Sequence, residues 1–265
     1  MVKNLLTRVV LKGKKILQEW TLIRGSPTAH NHKEMNFERI LTLEEEQILK
    51  TQKKYPQEFE NALELSILFS EFIERINPRS AHIVHFVGYL FQARRDHTLA
   101  LLSALRLHHV QGMMNLRHVF EAACNAAYAL SHPNEEDPEP KTEEEWKKRM
   151  KEKYSWIQEN FPKKSDWIKS TKEKINFSCA HSNPLTSFDS YKFEEEKFFF
   201  QFFNTETRLR TPGLLWMVGN IALGVMDLLC LVNVKAGVFT HDEKFVETLK
   251  RLETTNKEIK DRLLL

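Results

Sequence analysis

Polar residues interrupt an otherwise apolar stretch at Asn115-Leu-Arg117-His118-Val-Phe-Glu121, with Asn125 one turn further on. Arg117 and Glu121 are four residues apart, a spacing that stacks two side chains on one helix face and lets a guanidinium meet a carboxylate. His118, Glu121 and Asn125 share the adjoining stripe. A buried polar group without a partner costs roughly 1–3 kcal/mol, so such a seam is either a network that fixes helix register or a site that holds charge for a ligand. A second seam lies in Leu214 to Val234, where Asn220 and Asp227 project in nearly the same direction beside Gly224. Should the two helices face each other, Asp227 neutralises Arg117. A third element is Phe177-Ser-Cys-Ala-His181-Ser182-Asn183-Pro184, a turn from which an imidazole can reach a neighbouring cleft. Arg117, Glu121 and His181 are therefore the candidate catalytic groups. Asn220, Asp227 and His118 are the candidate binding groups.

Other chemistries leave no trace. The chain contains no GxxxxGK[ST], GxGxxG, HExxH or GxSxG pattern, which removes the commonest nucleotide, metalloprotease and hydrolase readings. His82 and His85 are three apart, as are His118 and Glu121, and such pairs could hold a metal between helices. No ExxH motif accompanies them, so no metal and no cofactor is expected. Cys124, Cys179 and Cys230 are odd in number and widely spaced, which excludes a disulfide framework and points to a reducing, cytoplasmic setting.

The elements that must position these groups are helices. Eight glycines in 265 residues is about 3%, against roughly 7% on average, too few for a turn-rich sheet fold. The expected fold is all-α: a single bundle of six to eight helices over residues 42–241, preceded by a basic helix and loop over 1–41 and followed by an amphipathic helix over 242–265. Pro56 opens a helix with a wide apolar stripe that closes at Asn77-Pro78. Two long apolar stretches follow, Ser80 to His109 and Gln111 to Leu130, with Gly112 as the connection. The acidic, proline-rich run at 132–145 reads as an exposed loop. Phe198 to Phe203 forms an aromatic patch that fits strand or helix equally.

Charge gives little guidance to partners. Thirty-nine Lys and Arg against 36 Asp and Glu leave +3, too small a surplus to imply nucleic acid. Residues 1–24 hold six bases and one acid on an amphipathic pattern, suited to a membrane surface, a partner, or packing on the same domain. Between Lys141 and Lys174, 11 basic residues and three tryptophans interleave as in single-strand binders, yet their spacing is that of an amphipathic helix. The 21 residues from Leu214 to Val234 are long enough to span a bilayer. An aspartate near mid-span costs roughly 2.5–3.5 kcal/mol on insertion, so a buried core helix is expected and stable membrane insertion is not. Partners remain open: a second copy through helix faces, or RNA.

The string MMNLRHVFEAACNAAYAL, followed some fifty residues later by FSCAHSNPLTSF, resembles uncharacterised bacterial helical proteins of the DUF5677 type. The resemblance covers about residues 80–235 and implies an all-helical domain with Arg117, Glu121 and His181 as matching polar positions. It implies no reaction. A more distant likeness is to HEPN-type domains, helical bundles of toxin and defence systems, some of which cut RNA without metal through RxxxxH to RxxxxxxH motifs. Arg24–His30, Arg75–His82 and Arg79–His85 fit that spacing, with Arg79 and His85 best placed at a helix start. These residues favour a binding or sensing module with a buried polar pocket, with a HEPN-like metal-independent ribonuclease as the alternative.

Overall fold

In the computed structural model, residues 37–76, 84–133, 142–177, 191–194, 197–200, 203–204 and 210–264 are described. They form an all-α helical bundle with one short hairpin. Helices α1 (Phe37–Lys54), α2 (Pro56–Glu74), α3 (Val84–Leu105), α4 (His109–Ser131), α5 (Glu143–Asn160) and α6 (Pro162–Ile175) precede strands β1 (Tyr191–Glu194) and β2 (Lys197–Phe200). Helices α7 (Arg210–Ala236) and α8 (Glu243–Leu263) follow. The strands pair antiparallel, Tyr191 opposite Phe200 and Glu194 opposite Lys197, which decides the ambiguous aromatic segment in favour of strand over 197–200. Residues 1–36 lie outside the described residues, and with them the basic helix expected there.

Helix ends follow local chemistry. Pro56 and Pro162 sit in the first turns of α2 and α6, where a missing N–H leaves nothing unpaired. The hydroxyl of Thr142 accepts from Glu145 N at 3.1 Å and Asp242 Oδ1 accepts from Phe245 N at 2.8 Å, capping α5 and α8. The acids Glu143 to Glu145 therefore belong to the first turn of α5, where the helix dipole favours them, and not to the preceding loop. Asn233 ends α7: its Oδ1 accepts from Val238 N and Phe239 N, and its Nδ2 donates to Phe239 O.

Helices α2, α3, α4 and α7 supply most of the core, with Leu65, Phe69, Phe72, Phe86, Leu116 and Phe120 at or near zero exposure. Helix α7 is long and apolar enough to cross a membrane, but more than half of its most apolar stretch is buried within the bundle. The connection between α3 and α4 is not at Gly112. Leu107 takes the left-handed conformation at φ 58° and makes the turn, while Gly112 is buried inside α4, facing Ala100 O and Leu214. Its missing side chain serves close approach of helices rather than a break. Helix α8 is likewise no appendage, since Phe245, Leu252, Asn256 and Ile259 are buried and the helix packs on α2 and α7.

Two polar links lock helices in register. His97 on α3 is buried and donates from Nε2 to Val218 O on α7 at 2.9 Å, while its Nδ1 accepts from Ser66 Oγ on α2 at 2.8 Å. Asn61 on α2 donates from Nδ2 to Asn256 Oδ1 on α8 at 2.9 Å, beside Gly219 of α7. A Cβ at Gly219 would lie 2.8 Å from Leu65 Cδ1, so glycine there permits the three-helix approach.

Candidate functional site

Helix α6 organises two polar centres. The first lies near its C-terminal end, where Arg117 Nε meets Glu121 Oε1 at 3.3 Å as the four-residue spacing on α4 dictates. Arg117 Nη1 also donates to Asn176 Oδ1 at 3.0 Å. Lys172 of α6 adds a second cation, 3.6 Å from Glu121, and donates to the Tyr154 hydroxyl at 2.6 Å. One carboxylate thus serves two cations, leaving the cluster with a surplus positive charge.

Beneath it, the Tyr154 hydroxyl is hydrogen-bonded to Cys124. Burial pushes the Cys124 thiol up to about 12, and burial likewise raises the Tyr154 phenol. Both stay protonated at neutral pH, so neither serves as a nucleophile or base there. The cluster can hold charge on Arg117, Glu121 and Lys172 above a neutral thiol and phenol. Replacing Glu121→Gln should leave Arg117 and Lys172 facing each other without their shared anion. A loss of about 1–2 kcal/mol is expected in urea denaturation, limited because the groups keep some solvent access.

The second centre is a cleft of about 410 Å³ between α6, α7 and α8. Asn220, Gly224 and Asp227 line one wall, spaced along a single face of α7. Across from them, α8 contributes Glu253, Asn256, Lys257 and Lys260. Asp227 is ion-paired to Lys164 of α6, not to Arg117. The expected neutralisation of Arg117 by Asp227 therefore fails: α6 stands beside both seams and supplies Lys172 to one and Lys164 to the other. Trp167, between those lysines, packs its ring against Gly224 and meets Phe120 edge-on at 5.1 Å between centroids. Trp216 donates its indole N–H to Asn256 O at 3.0 Å, which fixes its ring at the cleft wall.

Polar capacity in the cleft is left unused. Asn256 is only 3% exposed, and while its Oδ1 accepts from Asn61, its Nδ2 has no acceptor among the described residues. The Asn220 amide has no hydrogen-bond partner there either. Lys257 and Lys260 carry no ion pair among the described residues.

The candidate residues read from sequence divide accordingly. Arg117 and Glu121 meet in the charge cluster, and Asn220 and Asp227 share the cleft. His118 is exposed. His181 and Arg79 lie outside the described residues, and His85 is exposed at the start of α3. No histidine shares the hydrogen-bond network of Arg117 among the described residues, and no group of three metal-binding side chains occurs among them. Lys164 and Trp167 stand out in the sequence only as part of the basic, tryptophan-bearing run at 141–174, Trp216 is lost in the apolar run of α7, and Lys257 and Lys260 look like the ordinary wet face of an amphipathic helix. Asn256 carried a signal: it falls on the apolar stripe between Leu252 and Ile259. Compared with protein-family models, curated proteins and solved structures, the chain matches none.

Proposed function

We propose that this protein is a cytoplasmic small-molecule binding module, with the cleft between α6, α7 and α8 as its site. The observation that carries the reading is a pair of groups without a partner among the described residues, the Asn220 amide and the Nδ2 of Asn256, lining a cavity of about 410 Å³ walled by tryptophan and leucine. Ligand pockets combine such apolar walls with a few convergent polar groups, and volumes of a few hundred Å³ suit a compound of one or two rings. Asn256 already bonds Asn61 through its Oδ1, and its Nδ2 has no acceptor among the described residues, so a ligand in the cleft would take that donor in place of water. The free thiols Cys124 and Cys230 fit a reducing compartment. The charge cluster at Arg117 and Glu121 supports the cleft from the other end of α6 and holds that helix to α4.

Ligand-observed saturation-transfer NMR with a set of one- and two-ring fragments tests the reading. Asn220→Trp should fill the cleft and abolish the response of the fragments that bind there, with the circular dichroism spectrum unchanged. Fragments that bind the filled variant as well as the original chain would show that the cleft is not the site.

A further inference from the structure

The cleft has a direction. Helices α7 and α8 are joined by a short connection and run antiparallel, with Trp216 near the start of α7 bonded to Asn256 toward the end of α8. The end toward Trp216 therefore gathers Asn256, Lys257 and Lys260, and the opposite end is closed by the Lys164–Asp227 pair. Because that pair is internally neutral, the three remaining charges, Lys257, Lys260 and Glu253, leave the groove one unit positive. Neither lysine is engaged by a carboxylate among the described residues, whereas Lys164 is. Between the two ends lie the ring of Trp167 and the side chains of Leu223 and Leu249, a wall without a charge. From Asn220 to Asp227 the groove follows α7 for about 10 Å, the length of a ring with a short substituent.

Resting on the binding role proposed above, we infer that the cleft takes a small aromatic anion, its carboxylate or phosphate held by Lys257, Lys260 and the Asn256 amide, and its ring laid along Trp167. The amide N–H groups supply direction, the two ammonium groups supply charge, and the anion completes the donor set that the fold leaves open. Aromatic faces and the leucine side chains account for the rest of the ligand's surface. The lysines are solvent-exposed, so the attraction is screened by salt and affinity falls as ionic strength rises.

Calorimetric titration with benzoate, phenyl phosphate and benzyl alcohol separates the possibilities. Both anions are expected to bind about tenfold more tightly than the neutral alcohol, the size of effect that two exposed charge contacts supply. The Lys257→Gln/Lys260→Gln variant should lose that preference while melting at the original temperature, since neither lysine has an ion-pair partner to lose among the described residues. The Lys257→Glu/Lys260→Glu variant should favour benzylamine instead. The two anions tell a carboxylate site from a phosphate site by which binds more tightly. Equal binding of benzyl alcohol, or an anion preference that survives both variants, would overturn the inference and leave the binding role standing. Absence of any cleft-dependent binding would overturn both.

Discussion

Acidification from pH 6.5 to pH 4 is expected to lower the unfolding free energy by about 3 kcal/mol through one side chain, His97. Burial holds the imidazole neutral and pulls its pKa down to about 4 from 6.5, against the opposing bond to Val218 O. In the unfolded chain the same ring takes up a proton near pH 6.5. Between the two values the unfolded state binds more protons than the folded one, so stability is complete above pH 6.5 and is lost progressively as the pH falls toward 4. Below that, both states are protonated and this contribution stops changing.

His241 adds a smaller change of the same sign: burial and the neighbouring Arg75 lower its pKa, opposed by Asp242, but it keeps solvent access. Asp242, held below its usual 3.8 by hydrogen bonds from Arg75 and Phe245 N, acts in a more acidic range. Urea denaturation at pH 7, 5.5 and 4.5 measures the effect. His97→Phe should remove most of the slope across this window and, at pH 7, cost about 2–4 kcal/mol, because Val218 O loses its donor inside the core and the ring must be accommodated. A wild-type slope that survives the substitution would place the titrating group elsewhere.

The second large effect is expected at Gly224. Any side chain there collides with the ring of Trp167, which can give way only by leaving its edge-on contact with Phe120. Gly224→Val should destabilise the fold by about 1–3 kcal/mol, the range for overpacking where a side chain is forced out of its place. A β-branched residue also restricts the helix slightly, so the control matters. Combining Gly224→Val with Trp167→Leu should recover part of the loss, giving a coupling energy of at least about 0.5 kcal/mol in a double-mutant cycle by urea denaturation. Strict additivity would mean that the two residues do not press on each other. The same collision should push Trp167 into the cleft and weaken benzoate binding.

Which parts of this structure were legible in the sequence follows from what periodicity encodes. The long apolar run of α7, the proline at the start of α2, and the four-residue step from Arg117 to Glu121 each act within one helix, and each appears as read. Choice of neighbour is not a local property. Asp227 and Arg117 were a reasonable pair by charge, but α6 stands beside both, so that Lys164 takes Asp227 while Arg117 stays with Glu121 on its own helix. The division of residues 143–175 at Phe161-Pro162 was missed although proline marked it, because the apolar stripe on either side continues at compatible spacing. Gly112 misled for the opposite reason: glycine commonly marks a turn, yet here it relieves crowding inside α4 while Leu107 makes the bend. The cleft was half legible. One wall was visible as Asn220 and Asp227 on a shared face, whereas Asn256 belongs to a helix first read as separate from the bundle.

The amide pair joining Asn61 to Asn256 spans 195 positions of sequence. At roughly 5–20 residues per second of synthesis, about 10 to 40 s elapse between the appearance of one partner and the other. Throughout that interval the face of α2 that carries Asn61 and Leu65 has no α8 to cover it. The nascent chain therefore presents an apolar surface with an open amide at its centre, a target for chaperones and for unwanted association. The lock that sets the finished bundle's register also makes completion of its core a late event.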